Sequence, residues 1–135
     1  MLPEDFFNTS GRHRSFHNFW YFADDRGNSP VREFIDELPL DEQAKVFAYI
    51  DELKKQGHNL RRPLADYVKD GIYELRPKAN RLFYFFFLKE NVVFIHTIKK
   101  KTNGIPEKDI VLSIKRKKYI EEYRTNIVKE ENYED

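Results

Sequence analysis

Arg76, Arg81, His96 and the triplet Lys99-Lys100-Lys101 are the residues whose types and spacing bear on chemistry in this 135-residue chain. Arg76 and Arg81 stand on either side of a short polar segment, Lys78-Ala79-Asn80. Guanidinium groups at the two ends of such a turn can fork onto one phosphate, each contact contributing about 1.5–3 kcal/mol. The same arginines also suit rim ion pairs with Glu74. Three lysines in a row leave a strand end, and crowding like charges disfavours protonation. A lysine acting as a base near neutrality needs a pKa drop of about 3 units, so Lys100 and Lys101 read as phosphate-binding groups before proton acceptors. His96 has the ordinary pKa best suited to proton transfer, while its place between Ile95 and Thr97 also suits a hydrogen-bonded structural histidine. Only Glu74 and Glu90 are acidic between Ile72 and Thr102. The set therefore suits direct stabilisation of an anionic phosphorus centre by cations, and the expectation is a site with neither metal nor cofactor.

The net charge of +1 hides an uneven distribution. Gly71 to Lys118 carries 12 Lys or Arg against 4 Asp or Glu, and the excess of acids lies in the rest of the chain. A near-neutral protein with one positive half is built to meet an anion there. Lys78, Lys99, Arg61, Arg62, Lys117 and Lys118 extend the cationic set as binding candidates. His13, His17 and His58 form no recognisable constellation with it. With no cysteine, structural disulfides and thiolate metal sites are excluded. No apolar run reaches the roughly 18–20 residues of a membrane span, and the N-terminus lacks a signal-peptide apolar core. The expectation is a soluble, cytoplasmic protein with no membrane partner.

These side chains need a scaffold, and the pattern supplies one. Ile72–Arg76, Arg81–Leu88 and Val92–Ile98 are three β-type runs separated by hairpin-length segments, Lys78-Ala79-Asn80 and Lys89-Glu90-Asn91. Leu82–Leu88 is almost wholly apolar and aromatic, as a central strand covered on both faces should be. Tyr84 and the Phe83–Phe87 run accordingly read as core. Ser15–Phe22 has β-type composition and should pair with this meander. Ser29-Pro30 opens a helix as N-cap and first residue, with Val31, Phe34, Ile35 and Leu38 as its apolar stripe. A second helix spans about Leu40 to Gln56, with Asp41 and Glu42 in its first turn and Lys54 and Lys55 in its last. Gly57 stops it, and Val46, Phe47, Ile50 and Leu53 face inward. His58–Asp70 reads as a connecting segment and Thr102–Pro106 as a turn. The last helix runs from Pro106 to about Tyr123, with Ile110, Val111 and Ile114 able to pack. Tyr119 and Tyr123 stay open for stacking or partner contact. Residues 1–14 read as a weakly ordered lead-in, 15–124 as one domain, and 125–135 as a polar acidic tail that frays. The order β-α-α-β-β-β-α gives an α+β domain, with helices on one antiparallel sheet.

The segments SPVREFIDELP with AKVFAYIDELKKQG, GIYELRP with Arg81, and HTIKKKTNGIP together resemble the RelE/ParE toxin superfamily, in its HigB-like or phage-derived Gp49-like branch. SPVREFIDELP with AKVFAYIDELKKQG resembles the family's helical hairpin. GIYELRP with Arg81 resembles its ELR strand and the arginine opening the next strand. HTIKKKTNGIP resembles H-x-x-x-K-K-T-x-x-x-P, placing His96, Lys100, Lys101, Thr102 and Pro106 on its positions. Ile98 stands where the family usually has an aromatic residue. The resemblance implies the toxin of a two-gene toxin–antitoxin system, a metal-independent endonuclease acting on mRNA in the ribosomal A site and so blocking translation. Arg76, Arg81, Lys101 and His96 are then the catalytic candidates. It further implies inhibition by a helix-turn-helix antitoxin, and contact with operator DNA only through that complex. The ParE branch implies a different activity, non-nuclease inhibition of DNA gyrase, and a catalytically inactive phage-derived binding protein is a third reading. The fold is common to all of them.

Overall fold

The structure is a computed structural model and describes residues 18–101 and 103–130. Its elements are β1 (Asn18–Phe22), α1 (Pro30–Asp36), α2 (Leu40–Gln56), β2 (Ala65–Lys69), β3 (Ile72–Leu75), β4 (Asn80–Phe87), β5 (Asn91–Lys99), α3 (Glu107–Tyr123) and β6 (Ile127–Lys129). Six strands form one sheet in the order β2-β3-β4-β5-β1-β6. The expected α+β architecture holds, and the meander β3-β4-β5 is its centre. Within the meander the second turn is Leu88-Lys89-Glu90, one residue earlier than the sequence spacing predicts, because Phe87 pairs with Asn91.

Two strands lie where none is expected. The His58–Asp70 connector carries β2, which pairs antiparallel with β3. The polar tail carries β6, which pairs antiparallel with β1. β1 does join the meander as expected, but it runs parallel to β5. The sheet is therefore mixed. The lead-in, the last five residues, His13 and His17 lie outside the described residues.

Local chemistry sets the helix ends. The Ser29 hydroxyl accepts from the Arg32 backbone N–H and Pro30 opens α1, as N-cap and N1 residues should. α2 and α3 both begin directly after a proline and carry two acidic residues in the first turn, complementing the helix dipole. Asp70 and Gly71 both have positive φ, which closes the tight β2–β3 hairpin.

The helices cover both faces of the sheet. On one face α1 and α2 bury Val31, Ile35, Val46, Ile50 and Leu53 against Phe19, Tyr21, Leu75, Leu82, Tyr84 and Phe94. On the other, α3 buries Ile120 against Trp20, Ile72, Phe83, Phe85, Val93 and Ile95. Phe83, Tyr84, Phe85 and Phe87 are core, as their pattern predicts, and Phe86 packs partly buried against the first cluster. Ile114 packs against the second cluster, whereas Val111 is exposed, against expectation. It lies on the solvent side of α3, away from the stripe that includes Ile120.

Asn91 ties the two ends of β5 and β1 together. Its side chain accepts from the Trp20 indole N–H at 2.9 Å and donates to the Leu88 carbonyl at 3.1 Å. Asn91→Ala strands a buried indole donor and is expected to cost about 1–3 kcal/mol. Urea unfolding followed by Trp20 fluorescence checks this, and an unchanged midpoint would contradict it.

Candidate functional site

The rim of the sheet beyond Leu75 is built by the turn joining β3 to β4. The Asn80 N–H donates to the Pro77 carbonyl at 3.0 Å, and the Lys100 N–H donates to the Ala79 carbonyl at 2.7 Å. The end of β5 is thereby drawn alongside the turn. Arg76, Lys78, Arg81, Lys99 and Lys100 all gather at this rim, but the pleat divides them between two faces.

On the α3 face, Asp66, Glu74 and Phe83 are successive cross-strand partners, and His96 follows opposite Phe83. Arg76 and Arg81 lie two residues along from Glu74 and Phe83, on the same face. The register slips between Phe83 and Tyr84. One extra residue on β5 therefore turns both Ile95 and His96 toward α3. Glu74 is buried and accepts from Arg76 Nη1 through one carboxylate oxygen, while its other oxygen lies 3.9 Å from Arg81 Nε. Arg81 Nη1 donates to the Lys78 and Asn80 carbonyls at 2.7 and 2.8 Å, so this side chain also holds the turn. Arg81 is only 7 % exposed and Arg76 is half-buried. Burial, and next the charge of Arg76, push the Arg81 guanidinium below its usual pKa range, with Glu74 opposing. Arg62 forms a 2.9 Å ion pair with Asp66 and adds its charge to the same neighbourhood.

His96 lies half-buried beside this cluster. Its Nε2 is 2.8 Å from Asp109 Oδ1 on α3, and its ring stacks on Phe83 with centroids 5.9 Å apart. Burial lowers its pKa, the Asp109 hydrogen bond opposes that, and the Arg116 charge lowers it further. The imidazole is therefore neutral at pH 7. With Nε2–H donated to Asp109, Nδ1 carries the lone pair.

The other face has a different balance. Lys99 pairs with Glu42 at 3.0 Å, Asn80 also donates to Glu42, and Lys78 pairs with Asp41 at 3.0 Å. The acidic first turn of α2 thus neutralises the two lysines on that side. Lys100 is half-buried and Lys101 exposed, and neither has an ion pair among the described residues. Arg61 turns back onto the His58 and Leu60 carbonyls. Lys117 pairs with Glu121 and lies beside Gly71, at the end of β3 opposite Arg76, and Lys118 is exposed further along α3. The structure brings Arg62, Arg76, Arg81 and His96 to one face. It places Lys78 and Lys99 on the other, and Arg61, Lys117 and Lys118 elsewhere.

Asp66 and Asp109 belong to the site and were not singled out by sequence reasoning. Asp109 carries a legible signal: it is an acid in the first turn of a helix opened by Pro106, thirteen residues after the site histidine. Among the described residues no three His, Asp or Glu side chains converge as metal ligands would, and no helix is long and apolar enough to cross a membrane.

Residues 33–118, from α1 to the middle of α3, match the phage-derived protein Gp49-like family (DUF891). The chain belongs to that family. The Gp49-like family lies in the RelE/toxin-like group, so the broader half of the resemblance is established and the protein is toxin-like. No curated protein matches the chain. The matched span contains the whole rim.

Glu74→Gln removes the negative charge shared by two largely buried guanidinium groups. Breaking a buried pair from one side is expected to cost about 3 kcal/mol. Lys99→Ala, which breaks a partly exposed pair, is expected to cost less than about 1 kcal/mol. Equal losses for the two variants in urea unfolding would contradict the division between the faces.

Proposed function

We propose that this Gp49-like protein is the toxin of a toxin–antitoxin pair, a metal-independent endoribonuclease that cuts mRNA in the ribosomal A site. The observation that carries the reading is the gathering of Arg76 and Arg81 around Glu74, on the same sheet face as a neutral His96. Cleavage without a metal needs an acceptor for the 2′-hydroxyl proton and fixed cations for the phosphorane. Nδ1 of His96 takes the 2′-proton. The 2′-oxygen attacks phosphorus, the P–O5′ bond breaks, and the 5′-oxygen leaves with its electron pair and is protonated by water. The products are a 2′,3′-cyclic phosphate and a 5′-hydroxyl.

The roles of the arginines follow their burial. Arg76, the more exposed, donates to the phosphate with the N–H groups that Glu74 leaves unused. Arg81 acts from behind as a fixed positive charge and holds the turn in place. Lys100 and Lys101 extend the cationic path along the exit of β5 and bind neighbouring phosphates. The inhibitory partner is a helix-turn-helix antitoxin that presents an acidic segment to the basic half, and operator DNA is bound only through that complex. The site of action is the cytoplasm.

Mapping the 5′ ends of a defined mRNA in reconstituted translation tests this. Cuts are expected only with ribosomes present, and Arg76→Ala is expected to lower the rate about tenfold to a hundredfold. Uncut mRNA with inhibited DNA supercoiling would overturn the reading.

Protonated His96 cannot accept the 2′-proton, and its pKa is depressed below 6.5. The cleavage rate is therefore expected to fall on the acid side with a midpoint below pH 6.5. The unfolded chain takes up this proton first, so stability should also decline as pH drops through 6.5. A rate midpoint above 7 would contradict His96 as the base.

A further inference from the structure

We infer that Asp109 is a positioning residue for catalysis, orienting the His96 ring and stabilising the imidazolium that forms when His96 takes the substrate proton. The inference rests on the endoribonuclease reading of the same rim and extends it to a residue on the opposite layer of the fold. The contact is direct, 2.8 Å between His96 Nε2 and Asp109 Oδ1, and both side chains are largely shielded from water. A carboxylate on one ring nitrogen fixes which nitrogen is left to act as base, and it opposes the charge that develops on the ring.

Asp109 is itself held. It lies in the first turn of α3, where the helix dipole favours its negative charge. Its backbone N–H donates to the Pro106 carbonyl at 3.0 Å, and its carbonyl accepts from the Ser113 hydroxyl at 2.8 Å. The ring has a second constraint, since it stacks on Phe83. Among the described residues, the charged groups that act on His96 from α3 are Asp109 and Arg116, of opposite sign. From β4, Arg81 lies diagonally across from it in the register. Arg116 is fixed by donating to the Ile95 carbonyl at 2.7 Å and by stacking over the Phe22 ring. With burial and the Arg116 charge opposing protonation, Asp109 is the group that favours proton uptake by His96.

The order of elements explains the arrangement. The register slip turns His96 out of the β5 alternation toward α3, and Pro106 starts the helix so that its first turn meets the ring. The segment between His96 and Asp109 thus does more than connect. It closes a base and its orienting acid into one unit.

Asp109→Asn keeps the shape and removes the charge, while Asp109→Glu keeps the charge. The test measures mRNA cleavage against pH in reconstituted translation, together with the His96 titration by 15N NMR. The asparagine variant is expected to cut about tenfold to a hundredfold more slowly. Its acid limb and its His96 titration should both move to lower pH, because the charge favouring the imidazolium is gone. The glutamate variant should recover much of the rate, a rescue that lost packing alone does not predict. An asparagine variant within about twofold of wild type with an unmoved limb overturns the inference and leaves the nuclease reading standing. If Asp109→Asn fails to fold, the glutamate variant decides: a rate loss beyond tenfold in a folded protein overturns the inference. A wild type that cuts no mRNA overturns both.

Discussion

Glu74 sits on β3 between two guanidinium groups, and the rim is built on that shared carboxylate. Like charges repel, and that term grows as water is excluded around them. Arg76 and Arg81 could not be gathered at a half-buried strand end against such a term without a counter-charge. β3 and β4 fix the geometry because their other residues are locked in two cores, with Leu75 and Leu82 on one face and Ile72 and Phe83 on the other. The carboxylate therefore cannot drift, and neither can the donors it holds. The arrangement is preorganised in the sense that electrostatic catalysis requires.

The sheet then separates two uses of positive charge. On the hairpin side, the acidic first turn of α2 meets Lys78 and Lys99, and the exposure of these pairs makes them worth little to stability. Their effect is to cancel field on that side. On the α3 side, Arg62, Arg76 and Arg81 are opposed by Asp66 and Glu74, and Asp109 meets His96, all in specific contacts. The basic half seen in the composition thus resolves into a neutralised flank and an organised one, with Lys100 and Lys101 leading out between them.

Much of the fold could be read from local signals. Ser29-Pro30, Asp41-Glu42, Gly57 and Pro106 mark the helix ends by chemistry acting within a turn, and the Phe83–Phe87 run could only be interior. β2 also carried a signal, the Asp70-Gly71 pair that closes its hairpin, but its alternating polar residues and the Arg61-Arg62-Pro63 segment before it read as loop. β6 had none. Three residues in a polar tail become a strand only because β1, more than a hundred residues earlier, offers an open edge. The parallel sense of β1 is non-local in the same way. At the site, residue types identified Arg76, Arg81 and His96, but not which cations share a face. That depends on register and on the slip beside Tyr84, which no window of sequence displays. Asp109 escaped notice because its partner is on another layer.

The central claim is that the organised flank, and not the neutralised one, holds the phosphate. The most direct measurement titrates 15N-labelled protein with an RNA oligonucleotide whose scissile nucleotide lacks its 2′-hydroxyl, following the arginine, histidine and lysine side-chain resonances. Arg76 and His96 should shift together and saturate at one concentration while Lys78 and Lys99 stay in place. Shifts centred on Lys78 and Lys99, with Arg76 and His96 unmoved, would contradict the account.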